Sequence, residues 1–199
     1  MWDLLTNSFA QQGVILSPGE QDLIQTTFTF KKFRKHQYIL QEGDVCRYKT
    51  FILKGLTRGY TVDEKGQEHI LLFGAEGSWV EDLHSLNKGV PTEINIDCLE
   101  ETEVLQVSKS AMDMLFESVP QLNKYFRLLL QDAVVSLAQR MAYNLSKPVA
   151  ERYYNWIDRF PHIERRISNQ QIASYLGITP QSLSRLRRQT REQSQSLNK

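Results

Sequence analysis

The chain has little of what marks a metal, redox or membrane protein. It contains two cysteines, Cys46 and Cys98, and no Cys-x-x-Cys pair, so neither a zinc site nor a redox dithiol is predicted. No apolar run approaches membrane-spanning length, and the N-terminus lacks the basic and apolar segments of a signal peptide. We therefore expect a cytoplasmic protein with two buried, reduced thiols and no membrane partner.

Net charge is also small, at +1, but it is unevenly distributed. Residues 146–199 contain ten Lys/Arg and four Asp/Glu, whereas residues 1–145 contain fourteen and nineteen. A basic C-terminal quarter beside an acidic body predicts a local surface for a polyanion.

The C-terminal quarter carries a segment typical of a helix-turn-helix. Ser168 and Gln171 have the spacing of a capping box and begin a first helix. Gly177 suits a sharp turn, and Thr179-Pro180 can cap and begin a second helix. Apolar residues on the inner faces complete the pair: Ile172, Leu176, Ile178, Leu183 and Leu186. The segment predicts binding to double-stranded DNA through the second helix.

Individual DNA contacts follow from this register. The outward side of the second helix carries Gln181, Ser182 and Arg185 as base-reading candidates, and Arg185 suits a bidentate contact with guanine. Polar residues near the helix N-termini, together with a second arginine, are candidates for phosphate contacts; these are Ser168, Asn169, Gln170, Thr179 and Arg188.

The body of the chain is predicted to contain a helical segment, then a β segment, then further helices. Residues 1–30 are predicted helical. From about 31 to 108, short apolar or alternating runs are separated by turn signals, with glycines at 43, 55, 66 and 77, which indicates a closed antiparallel barrel or roll. The runs are 33–40, 48–53, 56–62, 68–73, 92–99 and 102–107.

A short helix capped by Ser108 or Ser110 should end before Pro120, and a long helix should follow from Gln121 to Leu145. Its apolar stripe suits a seam between two copies of the chain, although the helix could instead pack only on its own barrel. The residues assigned to a homodimer helix are Leu122, Phe126, Leu129, Ala133, Leu137 and Met141. Pro148 marks a hinge, and a further helix is predicted over Glu151–Phe160.

This order of elements resembles the Crp/Fnr family of bacterial transcription regulators. Three segments carry the resemblance further: Ile39-Leu-Gln-Glu-Gly43-Asp44, Phe51-Ile-Leu-Lys-Gly55 and Asp63-Glu-Lys-Gly66-Gln-Glu68. It implies an α+β fold: an antiparallel β-roll of jelly-roll type flanked by helices, a long dimerisation helix and an all-α helix-turn-helix domain. The implied divisions are 1–120 (sensor), 121–147 (dimer helix and hinge) and 148–199 (DNA-binding domain), and RNA polymerase is an implied further partner.

The segment that resembles the family's nucleotide site departs from its pattern. Nucleotide-binding members place a Gly-Glu pair on the ribose and an arginine on the cyclic phosphate. Here the matching positions hold Glu81, Asp82, Pro91 and Thr92, and no arginine occurs between residues 58 and 127. Because a partly buried phosphate needs a cation or many donors, we expect that cyclic AMP is not bound in the usual mode. No cofactor is predicted, and the effector is not identified.

Two alternatives to a DNA-binding regulator are open. After Arg188 the sequence is polar and predicts a frayed tail in place of the β-hairpin wing usual in the family. A ligand-sensing or scaffolding protein whose helix-turn-helix does not bind DNA is therefore the second hypothesis. A β-barrel metalloenzyme would need clustered histidines, but those at 36, 69, 84 and 162 form no His-x-His pair, so no enzyme is predicted.

Overall fold

The computed structural model describes the backbone of residues 2–197 and the side chains of residues 2–189. The described helices are α1 (Asp3–Gln11), α2 (Pro18–Thr27), α3 (Leu83–Lys88), α4 (Lys109–Ser118), α5 (Gln121–Ser146), α6 (Val149–Arg159), α7 (Pro161–Glu164), α8 (Asn169–Leu176) and α9 (Pro180–Leu197). The strands are β1 (Thr29–Phe33), β2 (Tyr38–Leu40), β3 (Tyr48–Lys54), β4 (Thr57–Val62), β5 (Glu68–Gly74), β6 (Trp79–Val80), β7 (Asn95–Cys98) and β8 (Thr102–Ser108).

The strands form an antiparallel roll of two four-stranded sheets. One sheet has the order β1-β8-β3-β6 and the other has the order β2-β7-β4-β5. Strands adjacent in the chain lie in different sheets, as in a jelly roll, except β4 and β5, which pair with each other. The predicted α+β class and β-roll are confirmed.

Element boundaries differ from the prediction at three places in the roll. The run 33–40 is not one strand, because the chain turns at His36, whose φ is +65°. The N-terminal helical region ends earlier than residue 30, since β1 begins at Thr29. The run 92–99 becomes a strand only at Asn95. In each case the turn has no glycine or proline punctuation strong enough to place it from sequence.

Local capping chemistry sets most helix starts. Ser17 and Glu20 form a capping box at α2. Ser108 accepts a hydrogen bond from the backbone N–H of Ala111 and so starts α4, which identifies it as the cap where the sequence left Ser108 and Ser110 open. The long helix α5 begins at Gln121 as predicted.

The roll and the C-terminal helices share apolar packing. The main core lies between the first sheet, α1, α2, α4 and the start of α5. A second cluster joins Leu56 and Leu99 of the roll to Trp156 of α6 and Ile172 of α8. The C-terminal helices are therefore packed against the roll of the same chain.

The polar segment after Arg188 does not fray at once, contrary to the prediction. Helix α9 continues to Leu197. Gln, Arg and Glu are good helix formers, and helix propagation from a capped start costs little. The described residues after Arg188 are therefore all helical, through Leu197.

Candidate nucleic-acid interface and effector cavity

The first helix of the helix-turn-helix is capped as the sequence predicts. The Ser168 hydroxyl accepts a hydrogen bond from the Gln171 backbone N–H at 3.2 Å. In return, the Ser168 N–H donates to the Gln171 side chain at 2.8 Å. Gly177 ends the helix in the left-handed region, with φ of +67°, and the Ile178 N–H bonds the Ala173 carbonyl at 2.9 Å. The turn is therefore fixed by backbone geometry and capping together.

The second helix, α9, is held by a cap and a buried apolar face. The Thr179 hydroxyl oxygen accepts from the Ser182 backbone N–H at 3.2 Å. Leu183 is fully buried against Ile172 and Ala173 of α8. This packing fixes the rotation of α9 about its axis, and so decides which side chains face outward.

The predicted base-reading side chains lie together on the exposed side of α9. Gln181, Ser182 and Arg185 are all exposed, and they fall within two turns of the helix. The Ser182 hydroxyl shares a 2.9 Å hydrogen bond with the Thr179 hydroxyl. A polar, exposed helix face over an apolar base can enter a major groove and present donors to base edges.

The predicted phosphate-contact residues are exposed at the two helix N-termini. Ser168, Asn169 and Gln170 are at the start of α8, and Thr179 precedes α9. Arg188, also exposed, follows one turn after Arg185 on α9. Backbone N–H groups and positive helix ends at these points favour anionic oxygens.

Sequence reasoning missed Arg187, which ties α9 to α6, α7 and α8. Its guanidinium donates to the Tyr153 hydroxyl at 2.7 Å and to Glu164 at 2.6 Å, and it also contacts the Asn169 side chain. Burial is the main cause of the raised pKa of Tyr153. Arg187 therefore has a structural role, whereas its neighbour Arg188 points outward.

Polar contacts also fasten α8 and the preceding loop to the roll. The Ser174 hydroxyl donates to the Glu68 carbonyl at 2.9 Å and accepts from the Ile70 N–H at 3.0 Å, so it continues the edge of β5. Arg166 forms ion pairs with Glu76 at 2.9 Å and Glu100 at 2.7 Å. None of these long-range contacts has a sequence signal.

In the roll, the positions that resemble the nucleotide site bind each other. The Thr92 hydroxyl donates to the Asp82 carboxylate at 2.6 Å, and both residues are buried. The other Asp82 oxygen accepts from the His84 and Ser85 N–H groups and caps α3. Pro91 is exposed beside this pair. Asp82 and Thr92 therefore hold a loop and a helix start in place.

Glu81, the fourth residue of that predicted pocket, faces a different environment. Its carboxylate pairs with Lys49 of β3 at 2.7 Å, and both side chains are largely buried. Glu81 lines a cavity of about 340 Å³ inside the roll. The lining residues are Ile39, Leu40, Asp44, Val45, Cys46, Arg47, Tyr48, Thr50, Val80, Glu81, Ile96 and Gln106. The sequence signal for Lys49 and Arg47 was missed because both precede the matched segment.

The thiols and histidines of the described residues form no metal centre. No group of three or more His, Cys, Asp or Glu with suitable geometry occurs among them. Cys46 and Cys98 are free and buried, and burial raises the pKa of Cys98 to about 11. Burial also raises the pKa of Cys46, and a raised pKa favours the protonated, less reactive thiol at neutral pH.

The first turns of helix α5 pack against their own chain, whereas the rest of the helix is mostly exposed. Leu122 and Phe126, predicted for the dimer seam, are buried in the core of their own chain, and Leu129 packs beside them. Further along, Ala133, Leu137 and Met141 are exposed. The exposed apolar side chains on this part of α5 are Leu130, Val134, Val135, Leu137, Met141 and Leu145. No helix within residues 2–197 is both long and apolar enough to cross a bilayer.

Comparison with known proteins finds similar proteins over most of the chain. Residues 30–119 match the model of the cyclic nucleotide-binding domain. The fumarate and nitrate reduction regulatory protein of Escherichia coli K12 is 26% identical over 188 residues, which cover 86% of this chain and 72% of that protein. FixK2 of Bradyrhizobium japonicum superposes with a TM-score of 0.71 at 20% identity, over 84% of this chain and 86% of the other.

A second solved structure has the same fold over nearly the whole chain. The c-di-GMP responsive global regulator CLP of Xanthomonas campestris superposes with a TM-score of 0.73 at 12% identity, covering 89% of this chain and 93% of the other. A cyclic nucleotide-binding roll, a long helix and a helix-turn-helix follow one another in this chain, and together with these similarities they support a regulator of the Crp/Fnr type.

Proposed function

We propose that this chain acts as a homodimer that reads double-stranded DNA through α9 and responds to an effector in its β-roll. Residues 1–120 serve as the sensor, 121–147 as the dimer helix and hinge, and 148–199 as the DNA-binding domain. The observation that carries this proposal is the exposed polar face of Gln181, Ser182 and Arg185, set on a buried apolar base.

Arg185 has the reach and the donor geometry for a guanine edge. Its neighbours on the same face can hydrogen-bond either strand, and the residues at the two helix N-termini hold phosphates. Base contacts give sequence discrimination, whereas phosphate contacts position the helix. Arg185 should therefore control the preference at one base pair, and Arg188 should contribute mainly to affinity and to its salt dependence.

Selection of binding sites from a random duplex library tests this assignment. Arg185→Ala should lose about 1–3 kcal/mol of discrimination at one position of each half-site. Arg34→Ala, which removes the same charge from an exposed position on the roll, is the matched control and should return the wild-type motif. The same motif from Arg185→Ala and wild type would exclude Arg185 as a base reader. Salt-independent or absent DNA binding by the wild-type chain would favour a scaffolding protein.

The exposed stripe on α5 supports a homodimer. Leu130, Val134, Leu137 and Met141 are 45%, 66%, 65% and 61% exposed, and their spacings of four, three and four residues fit a two-helix seam. Such a stripe on a single chain is costly in water. A second copy of the same helix covers it and sets the two α9 helices at the spacing of two DNA half-sites.

Sedimentation equilibrium tests the seam. Leu137→Glu places a charge in the middle of the stripe and should shift the dimer to monomer at micromolar concentration, with loss of binding to a two-half-site duplex. Ala138→Glu puts the same charge on the adjacent exposed position and should leave the dimer intact. A dimer that survives Leu137→Glu would place the interface elsewhere.

The bonded Asp82–Thr92 pair supports the expectation that cyclic AMP is not bound in the usual mode. A phosphate there would have to displace a buried carboxylate from its partner without an arginine to receive it. Calorimetric titration with cyclic AMP should show no saturable heat at micromolar concentrations. Binding in that range, lost on mutation of Thr92, would contradict this.

A further inference from the structure

The last carbonyls of α8 are bound by arginines from two other helices. Helix α8 ends at Leu176, and the turn toward the DNA-reading helix follows at Gly177. The Arg140 guanidinium, on α5, donates to the Tyr175 carbonyl at 3.0 Å. The Arg152 guanidinium, on α6, donates to the Leu176 carbonyl at 3.0 Å. Because the final carbonyls of a helix lack intrahelical partners and carry partial negative charge, these two cations fix the end of α8 in place.

Arg140 also binds the edge of the roll. Strand β5 is the last strand of its sheet, so one side of its backbone has no neighbouring strand. Arg140 donates to two carbonyls of this strand, that of Ile70 at 3.4 Å and that of Leu71. Its guanidinium carbon lies 3.9 Å from the centre of the Tyr175 ring. One side chain of α5 therefore holds the roll and α8 together.

A cleft lies between α5, α6 and α8 beside these contacts. Its volume is about 400 Å³, and Arg140 and Arg152 are among the residues that line it. Arg152 donates through the same nitrogen to the Leu176 carbonyl and to the Asn144 side chain of α5, each at 3.0 Å. At this cleft, arginine hydrogen bonds therefore join α5 to the end of α8.

Arg140 lies beside the proposed dimer seam on α5. It follows Leu137 by three residues and directly precedes Met141, and successive residues are about 100° apart around a helix. Leu137 and Met141 are exposed, whereas Arg140 is half-buried against its own chain. In the proposed homodimer, α5 therefore contacts the partner chain on one side and α8 on the neighbouring side.

We infer that Arg140 is a positioning residue for DNA recognition: it holds the helix-turn-helix at a fixed place relative to the dimer helix, and so sets the half-site spacing that the dimer reads. It acts through the Tyr175 carbonyl, two residues before the turn at Gly177, and not through a contact with DNA. A dimer bound at any other spacing has to move α8 and break these hydrogen bonds. The inference rests on the proposed function, because it requires a dimer that reads two half-sites.

Binding of the full chain to a series of duplexes tests this role. Each duplex carries two copies of the selected half-site, with centres separated by about 9, 10, 11 or 12 base pairs, close to one helical turn. A further duplex carries a single half-site. Fluorescence anisotropy gives the Kd for each duplex. The wild-type chain should bind one spacing more tightly than the others.

Arg140→Ala should lose spacing selectivity and keep half-site affinity. The ratio of Kd between the second-best and the best spacing should fall by about five- to tenfold, the effect of one hydrogen bond that no longer has to be broken. Affinity for the single half-site should stay within about twofold, because the base and phosphate contacts of α9 are unchanged. Arg140→Lys keeps the charge but not the planar, several-donor geometry, so its selectivity should lie between those of Arg140→Ala and wild type.

Gln139→Ala is the matched control. Gln139 directly precedes Arg140, lines the same cleft and is exposed, and alanine favours the helix at both positions. This variant should keep the wild-type selectivity. Thermal unfolding and sedimentation check that each variant is folded and dimeric; should Arg140→Ala fail to fold, Arg140→Lys carries the test.

The remaining outcomes overturn the inference. Unchanged selectivity in a folded, dimeric Arg140→Ala variant would show that other contacts place the helix-turn-helix, and a wild-type dimer that binds all spacings alike would show the same. Equal weakening on every duplex, the single half-site included, would show a merely structural role. Tighter binding on every duplex would show that Arg140 holds an arrangement that does not read DNA. All of these outcomes leave the proposed function intact, whereas a wild-type chain that binds no duplex would overturn both.

Discussion

Thr92→Val should destabilise the roll by about 3 kcal/mol, although the two side chains have nearly the same shape. Thr92 is 3% exposed, and its hydroxyl donates to the Asp82 carboxylate at 2.6 Å. The same oxygen accepts from the Ile94 backbone N–H at 3.1 Å. A hydrogen bond to a charged group contributes about 1.5–3 kcal/mol, and an unpaired, partly buried N–H costs about 1 kcal/mol more.

Urea unfolding followed by circular dichroism measures this loss. For a chain of this length, 3 kcal/mol also corresponds to a fall in Tm of about 6–12 °C. Thr92→Ser keeps the hydroxyl and should lose only about 1 kcal/mol for the missing methyl group. Thr26→Val is a matched control, because that exposed hydroxyl bonds only carbonyls of its own helix. A Thr92→Val variant within about 0.5 kcal/mol of wild type would refute the structural role assigned to the Asp82–Thr92 pair.

Three further predictions follow from buried or paired groups. Leu183→Ala should cost about 2–5 kcal/mol and abolish DNA binding, as read by urea unfolding and by fluorescence anisotropy with a duplex; a stable variant would contradict its place in the core. Burial raises the pKa of Glu76, but the hydrogen bond from Arg166 and other contacts outweigh this effect and bring the pKa below its ordinary value of 4.5. The Glu76–Arg166 pair should therefore stabilise the fold fully above pH 4.5 and weaken as the pH falls through the lowered pKa. Glu76→Gln should remove that acid-limb dependence in urea titrations, and an unchanged profile would argue against it. Cys46 and Cys98 should react with a disulfide reagent at pH 8 only after unfolding, because burial raises the pKa of both; rapid reaction of the native chain would show that the thiols are accessible.

The parts of the fold that sequence predicts well are those built by neighbouring residues. The capping box at Ser168, the turn at Gly177 and the Thr179 cap each depend on contacts within a few positions. For α4 the sequence narrows the cap to two nearby serines, and the structure uses Ser108. Such contacts can be inferred from spacing alone, since the chain has few other ways to satisfy those N–H groups.

Other elements are too short to show a period. Strand β6 has two residues and α3 has six, so neither gives a clear repeat. A capping signal for α3 was present, with Asp82 before it and Gly89 at φ of +67° after it. Asp82 also matches the family's nucleotide site, and that match predicts a ligand role at a position where the structure shows a helix cap.

Two basic side chains of the roll, Lys49 and Arg58, show why the effector region can be predicted only in part from the sequence. The segment that matches the nucleotide site contains no arginine. Lys49 nevertheless reaches Glu81 from β3, because Thr50 pairs with Val80 across the sheet. Arg58 likewise reaches Asp97, at 2.9 Å, from a neighbouring strand. Strand register, which linear spacing does not determine, decides both partners.

These cross-strand pairs also connect the region of the cavity to α5 and to α8. On one side, Lys49 binds Glu81 and lies 5.1 Å from the Phe126 ring of α5. Through Lys49, this ion pair therefore contacts α5 at Phe126, the last buried position of that helix.

On the other side, cavity residue Ile96 precedes Asp97, which pairs with Arg58, and Arg58 also binds Glu68. The Glu68 carbonyl in turn accepts the hydrogen bond from Ser174 of α8. The second sheet therefore links the cavity wall to the helix-turn-helix without passing through α5. Contact continuity alone does not establish energetic coupling, but it limits where coupling can run. In the proposed homodimer α5 contacts the partner chain, and α8 packs against α9, so a ligand in the roll would have a route both to the spacing of the two α9 helices and to their tilt.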